Sequence, residues 1–266
     1  MTSFIGLPGA LAPVACPTSE NVQQDRAVSE VVPFSGRRVV QLGRGVRRSW
    51  SVGHGAKHPR DYAVLDALTR WETPLVWVGA MAQATNLLTP GQATLGDATF
   101  SGGASARRGL INPGGIPAVS WAGGLPGSVV SLTGPRLVPV RPGVPVTVAV
   151  WTQRADSGRS TRLVYEFRDA TGANVDSGLL TGPSGPALQR AVWTIVPPVS
   201  AAEVVLGVHD AATVALPQVT WTPGEVEYAP GRGVHRVVVV PGSESPIVAH
   251  SRQVLTSAAY TILEVG

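Results

Sequence analysis

The residues able to carry chemistry are few, and their spacing fits no familiar site. His54 and His58 stand four residues apart, which on a helix would place two metal ligands on one face. Gly53, Gly55 and Pro59 surround them, so no helix is expected to carry both, and no acidic residue occupies the HExxH position. The pair therefore does not predict a metal site.

Catalytic motifs are equally incomplete. Gly43-Arg44-Gly45 begins a GxGxxG pattern, but Arg48 occupies the third position and no helix follows, so a hairpin turn is favoured. Ser243 and Ser245 flank Glu244 without the GxSxG elbow of a serine hydrolase. We predict no catalytic or cofactor-binding residue and no enzyme. A hydrolase is the alternative, which a cleft of acidic or His side chains with shifted pKa values would mark. The five histidines are dispersed: His54, His58, His209, His235 and His250.

Two residue types leave a binding role open. Asp156, Asp169 and Asp176 lie around turns and could bind calcium, but the alternating acids of an EF-hand loop are absent, which favours solvated turn residues. Tryptophan is frequent, with seven residues against four Phe and four Tyr. Trp151, Trp193 and Trp221 each precede Thr within a predicted strand and suit a core. Trp121 is predicted to lie in a Gly-rich loop and is the candidate glycan contact, because an indole offers sugars a flat apolar face.

The composition favours strands joined by turns. Only 14% of residues are charged, while 31 Gly and 23 Pro punctuate Val- and Thr-rich segments. The net charge of +4 comes mostly from Arg, and the basic residues form bare pairs, so no nucleic-acid partner is predicted. Cys16 is alone and excludes an intrachain disulfide. No apolar run suffices for a membrane span, and the N-terminus lacks the basic residues of a signal peptide, although a lipoprotein signal ending at Cys16 is a minor alternative.

The first part of the chain predicts a hairpin, a helix and a strand. Residues 1–30 have little periodicity and are expected to form an arm or a first edge strand. Residues 37–52 predict a hairpin around Gly43-Arg44-Gly45. His58-Pro59 opens the one convincing helix, because proline suits the first turn, and its apolar stripe runs to Trp71. Leu75–Val78 follows as a buried strand.

The later part predicts two further groups of strands. Six strands indicate a sandwich or jelly roll; they cover 128–132, 146–152, 162–168, 191–196, 203–208 and 214–222. Beyond Pro223-Gly224 we expect strands over 234–240, 246–250 and 260–265, with a turn at 241–243. Neither the first nor the last segment is large enough to bury a core alone, so each is expected to complete the other.

The predicted fold class is therefore mainly β. Residues 1–86, with residues 1–30 as an arm, and 223–266 would form a discontinuous β-sandwich domain with one α-helix. Residues 87–222 would form an inserted jelly-roll β-sandwich domain.

The order of these elements resembles a known family. The chain resembles the distal tail protein of long-tailed actinobacterial phages over roughly residues 30–90 and 225–266. The segments that carry the resemblance are RRSWSVG, HPRDYAVLDALTRW, TPLVWVG, ATNLLTP and AAYTILEVG. The middle of the chain resembles the galactose-binding-like jelly roll of carbohydrate-binding modules, in the segments VPVRPGVPVTVAVWTQRA, LVYEFRDATGANV and VALPQVTWT. Those modules often carry an acidic residue near the start of the final strand, where this chain has Pro217-Gln218, so no binding residue is carried over.

The resemblance implies a structural function. In that family six copies form a ring that joins the tail tube to the baseplate or fibre at the tail tip of the virion. It implies a homo-oligomer and contacts with the tail tube and the tail hub or fibre. A second hypothesis, compatible with the first, is that the insert binds host cell-wall glycan. A carbohydrate-binding adhesin, or a minor tail protein without a ring role, is the alternative.

Overall fold

The protein is mainly β, which confirms the fold class expected from the sequence. The computed structural model describes residues 2–15, 17–32, 39–101, 107–122, 127–134, 136–154, 160–224, 226–250 and 253–265. None of the helices in these ranges has the length and apolar character that crossing a membrane requires. The chain forms two compact units. Unit 1 contains Met1–Ile5, Ala12–Leu75 and Arg236–Gly266, and unit 2 contains Gly6–Leu11 and Val76–His235.

Both chain ends contribute to one seven-stranded sheet with the order β2-β1-β5-β17-β18-β4-β3. The strands are β1 (Ser3–Leu7), β2 (Ala10–Val14), β3 (Ser19–Val31), β4 (Val39–Lys57), β5 (Leu75–Val78), β17 (Val234–His250) and β18 (Gln253–Glu264). For residues 1–30 the sequence left an arm or an edge strand open. These residues form β1, β2 and most of β3, and β2 and β3 are the two edges of the sheet.

Alternation along β4 and β18 explains why these strands pair in one register. Ile262 lies opposite Trp50, and Tyr260 lies opposite Val52. All four side chains are buried, and their intervening neighbours are more exposed. Because side chains alternate between the two faces of a strand, a slip of one residue would turn this whole apolar set away from the core.

An ion pair holds the end of β18 against β4. The Arg48 guanidinium donates from Nε to Glu264 Oε2 at 2.9 Å and from Nη2 to Glu264 Oε1 at 3.0 Å. The backbone N–H of Arg48 also donates to this carboxylate. Arg48 is buried and its guanidinium lies 5.3 Å from the centre of the Trp50 ring. A bidentate Arg–carboxylate pair fixes direction as well as distance.

The hairpin turn predicted at Gly43-Arg44-Gly45 is wrong, because these residues lie inside β4. Strand β3 pairs along β4 on both sides of them, and the register shifts between Arg26–Val46 and Val28–Leu42. Three residues of β4 therefore stand opposite one residue of β3, which is a bulge. Glycine in a strand marks a bulge as readily as a turn.

The turn predicted at Pro241-Gly242-Ser243 is wrong for the same reason. Strand β17 is continuous through this segment, and its register with β18 shifts between Pro241–Tyr260 and Glu244–Ala258. A Cβ on Gly242 would lie 2.6 Å from the Ala259 carbonyl oxygen, so the close approach of the two backbones requires glycine.

The predicted helix after His58 exists but is shorter than its apolar stripe. A 3-10 turn at Pro59–Asp61 leads into α1 (Ala63–Leu68), and Pro59 occupies the first turn as expected. Leu65 is fully buried, whereas Trp71 lies beyond the helix and is 47% exposed. Strand β5 is buried at every position, as predicted.

Unit 2 contains two sheets, with orders β13-β12-β15-β9-β6 and β14-β11-β16-β8-β7, and β10 pairs with β15. The strands are β6 (Thr99–Ser101), β7 (Arg107–Ile111), β8 (Ala118–Ala122), β9 (Val129–Ser131), β10 (Val138–Pro139), β11 (Val146–Gln153), β12 (Ser160–Arg168), β13 (Asn174–Ser184), β14 (Gln189–Ile195), β15 (Glu203–His209) and β16 (Thr213–Thr220). Strands β9, β11, β12, β14, β15 and β16 confirm the six predicted strands to within two residues. Strand β13 was not predicted.

Two short helices precede these sheets and were not predicted either: α2 (Ala80–Thr85) and α3 (Pro90–Ala93). Thr89 and Gln92 form a reciprocal capping box at the start of α3. Between the helices, the buried Asn86 side chain donates to the carbonyls of Pro217 and Ala229 and accepts from the N–H groups of Leu88 and Val219. The amide thereby anchors this junction to β16.

The Arg48–Glu264 pair leads to a prediction about unit 1. Replacing Glu264 with Gln leaves the Arg48 charge without its carboxylate in a buried position, so we expect the free energy of unfolding to fall by about 2–3 kcal/mol. Urea denaturation measures the change. The matched control is Arg60→Gln, which breaks a 3.8 Å pair with Asp61 at an 80% exposed side chain and should cost well under about 1 kcal/mol. Equal losses in the two variants would contradict the prediction.

Candidate functional site

A two-stranded ribbon extends from the seven-stranded sheet. Strand β18 pairs with β4 only as far as Leu263–Ser49, whereas β3 pairs with β4 out to Val31–Val39. We define the β3–β4 ribbon as residues 24–31 and 39–47. It runs for about 25 Å at the usual rise of a strand. Within the described part of the chain, no third strand pairs with it.

Apolar side chains lie exposed near the end of this ribbon. Val32 is 62% exposed and Val40 is 49% exposed. The segment that joins the two strands, residues 33–38, lies outside the described residues, and with it the start of the hairpin predicted over 37–52. An isolated two-stranded ribbon is at best marginally stable in water, and its outer edges present unpaired backbone groups. The geometry therefore suits pairing with another chain.

Trp121, the predicted glycan contact, lies in strand β8 rather than in a Gly-rich loop, so the sequence-based location is wrong. The indole is half-buried and stacks on Phe100, with ring centres 6.0 Å apart and an interplanar angle of 16°. The Arg108 guanidinium lies 5.3 Å from the centre of the indole ring. Arg108 is the cross-strand partner of Trp121 on β7.

These neighbours limit how a ligand could use Trp121. Phe100 and Arg108 both cover part of the indole, and the buried indole Nε1 has no hydrogen-bond partner among the described residues. Leu110, two residues from Arg108 on β7, is 84% exposed. The cluster is an aromatic and cationic platform at one edge strand, and the role of Trp121 in glycan binding stays a prediction.

His54 and His58 point to different environments. The His54 ring is buried beside Tyr62 and Tyr260, and burial, with a smaller contribution from the Lys57 charge, lowers the pKa of His54. His58 Nδ1 instead accepts a hydrogen bond from the Arg60 N–H at the start of the 3-10 turn. Among the described residues, no group of three His, Cys, Asp or Glu side chains could hold a metal ion.

Of the remaining polar residues singled out in the sequence, Glu244 and Asp169 form hydrogen bonds within the fold. Glu244, exposed between Ser243 and Ser245 on β17, accepts a hydrogen bond from the Tyr62 hydroxyl at 2.7 Å. Asp169 accepts from the N–H groups of Thr171 and Ala173 and from the Thr171 hydroxyl, and so closes its own turn. Asp156 and the His235 and His250 side chains lie outside the described residues.

A charged cluster that the sequence did not predict lies at one end of unit 2. Asp210 is 4% exposed. Its Oδ2 lies 2.6 Å from Arg162 Nη2 and 2.7 Å from His209 Nδ1, and its Oδ1 lies 3.9 Å from Arg154 Nη1. The Gly127 N–H donates to Oδ1 at 2.7 Å.

The electrostatics of this cluster keep Asp210 ionised. Burial alone would raise the pKa of Asp210, but the hydrogen bonds from Gly127, Arg162 and His209 outweigh it and hold the pKa well below its usual range. The Asp210 backbone is left-handed, with φ of 64°. Asp is one of the few residues besides glycine that adopt this conformation with modest strain.

Sequence reasoning missed this cluster because its members are far apart in the chain. Arg162 lies on β12 and His209 on β15, and antiparallel pairing brings them opposite each other. Arg154 follows β11, and Gly127 precedes β9. The adjacent His209-Asp210 pair at the end of a predicted strand was the one local signal.

Comparisons with known proteins find similarity only at the level of solved structures. No protein-family model matches the chain, and no curated protein matches it. The solved structures include a domain titled the enzymatically active domain of bacteriophage CBA120 tailspike protein 4, with a TM-score of 0.39 and 12% identity, covering 54% of this chain and 22% of that one. The chain thus spans about a fifth of the tailspike chain.

Carbohydrate-binding modules are also among the similar solved structures. The xylan-binding CBM22-1 domain of Paenibacillus barcinonensis Xyn10C has a TM-score of 0.34 and 16% identity, covering 52% of this chain and 94% of the module. A module of Cellvibrio mixtus lichenase 5A, solved with cellotriose, has a TM-score of 0.33 and 12% identity, covering 46% and 91%.

The Asp210 cluster leads to a prediction with a pH signature. Asp210→Asn keeps a residue that tolerates the left-handed backbone but removes the charge facing Arg154 and Arg162. We expect a loss of about 3 kcal/mol in the free energy of unfolding at pH 7, measured by urea denaturation. The folded pKa of Asp210 lies well below its unfolded value of about 3.9, so the stabilisation is fully present above the unfolded value and is lost progressively as the pH falls below it towards the folded pKa.

The difference between wild type and Asp210→Asn should therefore shrink as the pH falls from about 5 to about 2. Asp66→Asn, at an exposed position on α1, is the control and should change stability by less than about 0.5 kcal/mol. A difference between wild type and Asp210→Asn that stays constant over this pH range would contradict the proposed role of the charge.

Proposed function

We propose that this protein is a structural component of a phage tail, a distal tail protein whose copies form a ring between the tail tube and the baseplate or fibre. The single observation that carries the proposal is the β3–β4 ribbon, which extends from a sheet built from both chain ends. The sequence resemblance of RRSWSVG, HPRDYAVLDALTRW and AAYTILEVG to that family supports the same function.

The ribbon supports assembly for a physical reason. Beyond Ser49, no strand among the described residues pairs with the outer edges of the ribbon. An added strand from a neighbouring chain would satisfy those backbone groups and cover Val32 and Val40. Each copy carries both the ribbon and a separate sheet edge at β2, so a contact from the ribbon of one copy to the β2 edge of the next is head-to-tail. Such a contact closes into a ring when its rotation allows.

The proposal includes partners and a location. The ring is expected to be a hexamer that contacts the tail tube on one side and the tail hub or fibre on the other, at the tip of the virion. A minor tail protein without a ring role is the alternative within the same class. Images of particles that contain this chain would separate the two, because a ring protein lies on the tail axis with sixfold symmetry.

Trimming the ribbon tests the proposal directly. Residues 26–46 are replaced by Asn-Gly, which suits a two-residue turn between the paired residues Asp25 and Arg47. Arg48 and its pair with Glu264 stay in place, so unit 1 should keep its fold. We expect wild type to form an oligomer of about six chains and the trimmed variant to be monomeric, as measured by size-exclusion chromatography with light scattering.

The control is Val199→Ser, which removes a 92% exposed apolar side chain in unit 2 and should leave the oligomeric state unchanged. An oligomer that survives trimming would contradict a role for the ribbon. A wild-type chain that stays monomeric at high concentration and is absent from the tail axis of particles would contradict the ring.

A second candidate function is glycan binding by unit 2. The observation that favours it is the Trp121 cluster, in which a half-buried indole, the Phe100 ring and the Arg108 guanidinium lie together beside an exposed edge strand. Aromatic faces and guanidinium groups are common contacts of sugars and their substituents. In this form the protein is a carbohydrate-binding adhesin of the tail, which is compatible with a ring.

Substituting Trp121 tests this second function on the full chain. We expect wild type to bind host cell-wall glycans on an array, Trp121→Phe to retain most of that binding because it keeps a flat apolar ring, and Trp121→Ala to lose it roughly tenfold or more. Circular dichroism confirms that each variant is folded. Equal binding by Trp121→Ala and wild type would exclude Trp121 as a contact, and the absence of binding to any glycan would count against the adhesin.

A further inference from the structure

A cleft of about 390 Å³ opens beside the Asp210 cluster in unit 2. The described residues that line it are Ser160 and Arg162 of β12, Thr181 of β13, and Asp210. Small-molecule sites typically begin at a few hundred Å³, so the cleft has room for one sugar residue. None of these lining residues belongs to the Trp121 cluster of Phe100, Arg108 and Trp121.

The Arg162 guanidinium uses one nitrogen, Nη2, to contact the Asp210 cluster, and its other two nitrogens can donate to a ligand. Nη2 lies 2.6 Å from Asp210 Oδ2 and 3.0 Å from His209 Nδ1. No described residue accepts a hydrogen bond from Nε or Nη1, and the side chain is 39% exposed. The buried carboxylate fixes the orientation of the guanidinium, so little conformational freedom is lost when a ligand binds the remaining donors.

Two hydroxyl groups extend this polar surface. Thr181 is the cross-strand partner of Arg162, and Ser160 lies two residues before Arg162 on β12. No described residue forms a hydrogen bond with either hydroxyl. The Thr181 carbonyl accepts from Trp193 Nε1 at 3.1 Å, which fixes the backbone on that side of the cleft.

The chemistry of this lining selects an anion. Arginine presents parallel N–H donors that match the oxygens of a carboxylate or a phosphate, and hydroxyl groups can donate to the same oxygens. Asp210 does not oppose such a ligand strongly, because Arg162 lies against its carboxylate and Arg154 lies nearby. No aromatic side chain is among the described lining residues, so a neutral sugar would lack a stacking surface there.

We propose that this cleft binds the negatively charged substituent of an acidic saccharide, a carboxylate or a phosphate carried on a sugar ring. The anion would accept from Arg162 and from the hydroxyls of Ser160 and Thr181. That the anion is carried by a saccharide rests on the proposed glycan contact of unit 2. The charge preference rests on the cleft alone.

The test measures the binding of three matched sugars to the full chain by isothermal titration calorimetry. Glucuronate carries a carboxylate, glucose 6-phosphate carries a phosphate, and glucose carries neither. We expect at least one acidic sugar to bind roughly tenfold or more tightly than glucose, and to bind more weakly as the salt concentration rises. A preference between the two acidic sugars identifies the anion.

A charge substitution in the lining provides the matched control. Thr181 is exposed, so Thr181→Glu adds a negative charge to the cleft without removing any partner of Asp210. Thr181→Gln is of nearly the same size, removes the same hydroxyl and adds no charge, so a loss caused by the missing hydroxyl appears equally in both variants. Beyond that shared loss, the charge of Thr181→Glu should weaken the binding of the acidic sugar about tenfold relative to Thr181→Gln. Arg162 itself is left intact, because its removal would leave Asp210 buried without its closest cation.

Three outcomes overturn the inference: glucose binding as tightly as the acidic sugars, equal weakening by Thr181→Glu and Thr181→Gln, or no binding of any of the three sugars. None of these bears on the ring, which the trimmed ribbon tests. The first two leave the glycan contact of unit 2 standing, and after the third the glycan array with the Trp121 variants decides whether unit 2 binds glycans elsewhere.

Discussion

The pairing of β18 with β4 is the interaction on which the rest of the structure depends. Strand β18 lies inside the seven-stranded sheet, between β17 and β4. At the end of β18, Glu264 accepts two hydrogen bonds from the Arg48 guanidinium. This pairing joins segments that are about two hundred residues apart in sequence. The entropy of closing such a loop grows only with the logarithm of its length, by about 0.6 kcal/mol for each doubling. A large middle segment is therefore tolerated, provided that it buries its own core.

Unit 2 meets that condition with two sheets of its own. Leu163, Phe167 and Leu206 are buried in one sheet, and Val148 and Val219 are buried in the other. The Trp193 indole of β14 donates to the Thr181 carbonyl of β13, which links the two sheets. Unit 2 is therefore stabilised by contacts within itself. The Asp210 cluster and the Trp121 cluster both lie in unit 2.

The two bulges show how local signals become ambiguous. Gly43-Arg44-Gly45 and Pro241-Gly242-Ser243 have the composition of turns, yet both lie within long strands. A glycine or proline that interrupts an alternating pattern is compatible with both a turn and a bulge. The choice depends on whether a partner strand continues past the interruption, and for these segments the partners are β3 and β18. Where no such interruption occurs, as in β5 and β12, the predicted strands agree with the structure.

The sequence by itself determined the features that need only a few neighbouring residues. Alternation of apolar and polar side chains predicted the strands of unit 2, Pro59 marked the start of the helical segment, and the apolar run Leu75–Val78 predicted a buried strand. Only the tertiary structure determined that the polar edge strand β13, the ribbon and the Asp210 cluster form. Strand β13 has little apolar alternation and is held by its register with β12, and the cluster draws Gly127, Arg162 and Asp210 from separate strands and loops. Side-chain periodicity is a local property, whereas strand register and the meeting of distant charges depend on which segments the whole chain brings together.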